Sequence, residues 1–191
     1  LIGLFLQESS ITAGNTGDGD PSVARIYAAH SVLSSGDWYK IAVGSSGIYR
    51  IRYTDLQAMG INMASLDPRN IRIYGNGGGM LPESNSAARP DDLKENAILV
   101  SGESDGVFNE SDYILFYAKG PVSWRYNATQ KIWEHIPNIY SDSAYYYLTP
   151  GQGRGKRLNT YSGSALPSTA EVNSYDFMTW YDKDAINLIK S

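Results

Sequence analysis

Apolar and polar residues alternate along much of this chain. In Trp38-Tyr39-Lys40-Ile41-Ala42-Val43, Trp38 and Lys40 fall on one face, and Tyr39, Ile41 and Val43 on the other. Ile48-Tyr49-Arg50-Ile51-Arg52-Tyr53 repeats the pattern with Arg50 and Arg52 outward. The turn at 44–47 between them predicts a β-hairpin. Thr54 stands at a helix N-cap position, Asp55-Leu56-Gln57-Ala58-Met59 supplies one or two turns, and Gly60 ends them. Further strands are predicted over 70–74, 97–100, 112–118, 144–149 and within 172–181. Those at 97–100 and 112–118 are the most apolar and are expected to be central. Trp124 and Trp133 lie on two strands flanking Asn127-Ala128-Thr129-Gln130, a second predicted hairpin. Residues 1–7 read as a buried strand and 9–20 as a Gly/Asn/Asp/Ser loop, while 23–33 and 184–190 stay ambiguous. Many short strands at this spacing predict an all-β domain, a β-sandwich or jelly-roll-like barrel with one or two short helices. The expected organisation is one β-rich module over 1–191, with 1–24 as a separable leading strand and loop.

Composition narrows the function. The chain has 191 residues, 16 basic and 20 acidic, for a net charge of −4. A nucleic-acid or anionic-membrane surface would need a basic field, so neither partner is expected. No segment reads as membrane-inserting. There are no cysteines, which removes thiolate catalysis, disulfides and cysteine zinc sites from this chain. The 15 tyrosines and 4 tryptophans suit strands and wet interfaces. The first residues, Leu1-Ile2-Gly3-Leu4-Phe5-Leu6, lack the basic start of a signal peptide, and both ends read as cut from a larger polypeptide.

Several motifs invite chemistry. Gly75-Asn76-Gly77-Gly78-Gly79 follows a predicted strand, but Met80-Leu81-Pro82-Glu83 does not open a helix. The run therefore reads as a structural turn rather than a phosphate loop, with at least one of Gly77–Gly79 at positive φ. Glu103, Asp105 and Asp112, with Asn109 and Glu110, gather hard oxygen ligands around Gly106 and are weak calcium candidates; their spacing departs from the EF-hand loop, and a solvated turn is the competing reading. His30 and His135 sit in no triad context, and no nucleophile elbow occurs, so no catalytic residue is assigned. Asp91 and Asp92 are adjacent in a polar loop rather than placed as a glycosidase pair. No cofactor is expected beyond a calcium ion. Tyr145-Tyr146-Tyr147, with Trp124, Tyr126 and Trp133, could line a carbohydrate or protein contact face; strand geometry puts Tyr146 opposite Tyr145 and Tyr147, and one side must be core.

A set of co-linear segments adds to this reading. Residues 31–41 lead into Gly47-Ile48-Tyr49-Arg50-Ile51, then Asp55-Leu56, Gly60-Ile61 and the run 67–83. Residues 112–121, Asn138-Ile139-Tyr140-Ser141-Asp142 and the final Ile186-Asn187-Leu188-Ile189-Lys190-Ser191 continue the series. From about Tyr27 onward the chain resembles the N-terminal region of PorU-type sortases of the Bacteroidetes type IX secretion system, which are gingipain-like cysteine peptidases. The resemblance implies a non-catalytic N-terminal domain ahead of a downstream peptidase domain. The parent would sit at the outer-membrane surface or be secreted, removing sorting domains from cargo and helping attach that cargo to surface lipopolysaccharide. It implies as partners that downstream domain and other type IX components. The family's catalytic Cys and His have no matching position here. Asp142-Ser143-Ala144 also resembles the short O-glycosylation signal of Bacteroidetes secreted proteins, making Ser143 a glycosylation candidate against the plainer reading of a loop serine. The alternative function is a carbohydrate- or cell-surface-binding β-sandwich module.

Overall fold

The structure, a computed structural model, describes residues 27–84, 86–151, 153–159 and 173–174. The strand predicted over 1–7, the loop over 9–20, the ambiguous tail 184–190 and, apart from 173–174, the strand predicted within 172–181 lie outside them. Among the described residues the chain is all-β, with one short α-helix and a few 3-10 turns. The strands are β1 (Tyr39–Val43), β2 (Gly47–Arg52), β3 (Arg72–Tyr74), β4 (Glu95–Asn96), β5 (Leu99–Ser101), β6 (Tyr113–Ala118), β7 (Val122–Asn127), β8 (Ile132–Pro137) and β9 (Ala144–Thr149). The helix α1 spans Tyr53–Ala58.

The strands form a four-stranded sheet ordered β1-β9-β3-β4, a three-stranded sheet ordered β2-β6-β5 and a separate β7-β8 ribbon. The two sheets share one apolar core. Val43, Ile73, Ala144, Tyr146 and Leu148 enter it from the first, and Ile51, Val100, Ile114, Phe116 and Ala118 from the second. The Phe116 and Tyr146 rings meet across the layers, 5.5 Å apart and edge-on. Leu56 of α1 is fully buried beside them.

The expected β1–β2 hairpin does not form. β1 pairs antiparallel with β9 (Ile41 opposite Tyr146), and β2 pairs antiparallel with β6 (Tyr49 opposite Phe116). Alternation reports that each strand has one buried face. It is equally satisfied by strands that pair side by side and by strands that face each other across a core, which is the case here. The corner between them is tied to a distant segment instead. Gly120 N–H donates to Ser46 Oγ at 2.9 Å, and within the corner itself Tyr49 Oη donates to Ser45 O at 2.9 Å.

Two smaller expectations are also corrected. β6 is central, but β5 is an edge strand: its apolar character comes from Val100 facing the core and from Ile98, which is covered by a parallel bridge to Arg157. The helix starts two residues earlier than an N-cap at Thr54 would set it, because the cap is Arg52, whose backbone N–H donates to the Asp55 carboxylate at 2.8 Å. Gly60, at φ +86°, follows its end as expected.

One buried group stands out at the end of β9. Thr149 is fully buried, and its Oγ1 has no hydrogen-bond partner among the described residues. A buried hydroxyl without a partner costs stability, and valine has nearly the same shape. Thr149→Val is expected to raise stability by up to about 1 kcal/mol, read as a higher urea midpoint with unchanged slope. A lower midpoint would show that the hydroxyl is used.

Candidate interaction surface

The β7–β8 ribbon gathers several large apolar side chains that meet solvent. Its register sets Trp124 opposite His135 and Tyr126 opposite Trp133, so these four rings share one face. The Trp124 and His135 rings lie 5.0 Å apart edge-on, and those of Tyr126 and Trp133 lie 5.3 Å apart. Trp124, Tyr126 and Trp133 each remain 42–49% exposed, and Ile139 and Tyr140, just beyond β8, more so. The opposite face is polar at its middle: Arg125 donates to Glu134 at 2.7 Å, and Asn127 Nδ2 donates to the same carboxylate at 2.8 Å. These bonds, the one from Asn127 largest, hold the Glu134 carboxyl below the usual carboxylate range. The turn is shaped by Asn127, whose Oδ1 accepts the N–H groups of Thr129 and Gln130, and by Lys131 at φ +57°. A patch of this kind on a two-stranded ribbon has packing to offer and no core of its own to cover it.

The other aromatic run divides as strand geometry requires. Tyr146 is in the core, with its hydroxyl accepting the Lys119 N–H at 2.7 Å, and burial pushes that phenol up from its ordinary value. Tyr145 faces out beneath the Lys40 ammonium, which sits 3.7 Å from its ring centre.

The acidic residues do not share a site. Glu103 accepts from Arg157 at 2.7 Å. Asp105 accepts the Val107 N–H at 3.0 Å and the Asn109 side-chain amide at 3.1 Å. Asp112 is buried, accepts the Asn109 N–H at 2.7 Å and closes over Gly102. Each carboxylate is occupied by a donor of the protein, and no group of three or more Asp, Glu or His side chains is gathered for a metal among the described residues. Ser143 is half-buried at the start of β9; its backbone N–H and carbonyl both bond the Ser141 hydroxyl. His30 is exposed, whereas His135 is half-buried on the ribbon.

Asp91 and Asp92 hold the first described segment in place. Asp91 accepts the Ala28 N–H, and Asp92 accepts Val32 N–H at 2.6 Å and Ser31 Oγ at 2.9 Å. The bonds from the backbone N–H groups of Val32 and Leu93 hold the Asp92 carboxyl below its ordinary value. A carboxyl whose folded pKa is depressed stabilises the fold above its unfolded value, about 4, and that contribution is lost as pH falls through the folded value. Protection of the Val32 amide from hydrogen exchange is therefore expected to be flat above about pH 5 and to fall toward about pH 2. Constant protection down to that pH would show that Asp92 does not hold the segment.

The glycine run is a turn, as the sequence indicates. Gly77 has φ +85°. Gly75 and Gly78 are there for close approach: a Cβ on Gly75 would collide with the Tyr146 ring, and one on Gly78 would lie 2.6 Å from Ala144 Cβ.

Sequence reasoning missed Arg157. Its guanidinium donates to Glu103 and to the carbonyls of Pro68, Arg69 and Ile71 at 2.7–3.0 Å. Nothing in a single sequence marks a contact between positions so far apart.

No helix among the described residues is long and apolar enough to cross a membrane. No protein-family model and no curated protein matches the chain. A solved structure does: the crystal structure of dimeric latent PorU from Porphyromonas gingivalis is 36% identical, with a TM-score of 0.52, over 71% of this chain. The match takes in 11% of that protein's length, so this chain corresponds to a small part of it. This cysteine-free chain thus has a PorU-like fold and is similar in sequence and structure to one segment of a much longer protein.

Proposed function

We propose that this chain is a non-catalytic accessory domain of a type IX secretion sortase-like protein at the outer-membrane surface of a Bacteroidetes cell, packing on and orienting a downstream gingipain-like cysteine peptidase domain. The observation that carries this reading is the likeness to PorU at 36% identity. The absence of cysteine supports it, since a thiolate nucleophile would have to come from elsewhere in the polypeptide. The exposed ring face of the ribbon supplies an apolar surface for docking, and aromatic residues commonly anchor such contacts. The test is hydrogen exchange on the 191-residue chain against a longer polypeptide from the same reading frame that includes the Cys-bearing region. Amides of 122–137 are expected to exchange more slowly in the longer protein. Equal exchange would remove the ribbon as the docking face, and a reading frame without a downstream Cys and His would overturn the function.

A second reading is favoured by the same rings. Three exposed aromatics on one face also suit sugar stacking, so a carbohydrate-binding module is the alternative. Saturable glycan binding by the isolated chain, abolished by Trp124→Ala or Trp133→Ala, would establish it over the first.

A further inference from the structure

Away from the ribbon, the two sheets meet at an open cleft of about 290 Å³. It is lined from the four-stranded sheet and its glycine turn by Asn76, Gly77, Lys94 and Glu95, and from β6 and its end by Tyr117 and Lys119. This volume is at the low end for small-molecule sites, the size of one sugar or one amino acid.

The charges in the cleft are unbalanced. Lys94 and Lys119 have no carboxylate partner among the described residues. Glu95 is engaged: it accepts the Lys156 N–H at 2.6 Å and lies 3.9 Å from the Arg72 guanidinium. Two lysines lining one cleft without a carboxylate partner run against the net charge of −4 on the chain. Both lysines are also held at the backbone. The Lys94 N–H donates to Asn76 Oδ1 at 3.0 Å, and the Lys119 N–H donates to the Tyr146 hydroxyl at 2.7 Å. Asn76 is fixed in turn by donating to Asp92 O at 3.1 Å. The Lys119 stem runs past Gly77, where a Cβ would stand 3.1 Å from Lys119 Cβ. The cleft backbone is therefore fixed, while the two exposed lysine side chains are ordered only on binding. Tyr117 is 40% exposed at the rim and offers a flat face beside the charges.

We propose that this cleft binds a small carboxylate-bearing ligand, its anionic group between Lys94 and Lys119 and its body against Tyr117. The proposal stands independently of the function assigned above. The carboxylate could come from a sugar acid or from an amino acid, and the experiment separates them. Amide chemical shifts of the 191-residue chain are followed while adding D-glucuronate or N-acetylphenylalanine, with D-glucose and N-acetylphenylalanine amide as neutral counterparts. At least one acid is expected to shift amides at 75–77, 94–96 and 117–119 saturably, with a Kd on the order of 1 mM. Which acid does so names the source. Lys94→Gln and Lys119→Gln keep the stem and remove the charge; each is expected to weaken binding about tenfold, while the unshifted remainder of the spectrum reports that the fold is intact. Saturation by neither acid, equal shifts from a neutral counterpart, or unchanged affinity in both glutamine variants would overturn the proposal.

Discussion

Arg157→Ala is expected to cost about 3–5 kcal/mol of folding stability, a large share of the roughly 5–15 kcal/mol that a domain of this kind has. The Arg157 side chain is only 17% exposed, and its guanidinium fills four acceptors at once: the Glu103 carboxylate and three carbonyls of the 68–71 turn. Removing it leaves a largely buried carboxylate and three backbone oxygens without their donor, and an unmatched acceptor costs more than a hydrogen bond contributes. The backbone on either side of Arg157 is bonded to the same region. Leu158 N–H donates to Ile98 O, Ile98 N–H donates to Lys156 O, and Gly155 N–H donates to Arg69 O. Arg157→Lys should recover part of the loss, because one ammonium cannot reach acceptors spread around a planar fork. Arg125→Ala is the comparison. Its ion pair with Glu134 has a similar length, but Arg125 is 70% exposed, so a loss under about 1 kcal/mol is expected. Urea unfolding of the three variants checks the order. A midpoint for Arg157→Ala equal to that of Arg125→Ala would show that the guanidinium is not the staple.

Gly75→Ala is expected to destabilise by about 3 kcal/mol, whereas Gly79→Ala should be nearly neutral. The added methyl at Gly75 would overlap the Tyr146 ring, which is itself 2% exposed, packed on Phe116 and tied by its hydroxyl to Lys119. The ring has no free rotamer to move into without opening the contact between the sheets. At Gly79 a Cβ would meet nothing within 4 Å. Thermal melts of the two variants, four residues apart in one glycine run, separate a packing requirement from a general preference for flexible turns. Equal melting temperatures would refute the packing account.

Strand positions were legible in the sequence because period-two alternation is a local signal. Tyr39, Ile41 and Val43, and likewise Tyr49 and Ile51, turn inward as their spacing indicates. The β7–β8 hairpin was legible for a second local reason: Asn127 builds its own turn. Which strands pair was not legible for β1 and β2, since their partners lie far along the chain in β9 and β6 and both arrangements bury the same residues. The aromatic character of the ribbon was visible, but its exposure was not, because exposure depends on the ribbon standing apart from both sheets. The cleft was invisible for a similar reason: Lys94 and Lys119 come to line one opening only when the sheets stack.

The pairing of β1 with β9 has a consequence for how the chain folds. Tyr39 lies opposite Leu148, and β3 completes its place in the same sheet only on the other side of β9. A growing or emerging chain cannot form this sheet until nearly all of the described residues are present. Closing so long a loop is slow, and folds dominated by distant pairings assemble in milliseconds to seconds rather than microseconds. During that interval β1 and β3 would carry unpaired backbone edges, the feature that most invites association with other chains. Fragments that stop before Ala144 should therefore aggregate rather than fold, and a chain exported across membranes in this state would depend on being kept unfolded until β9 arrives.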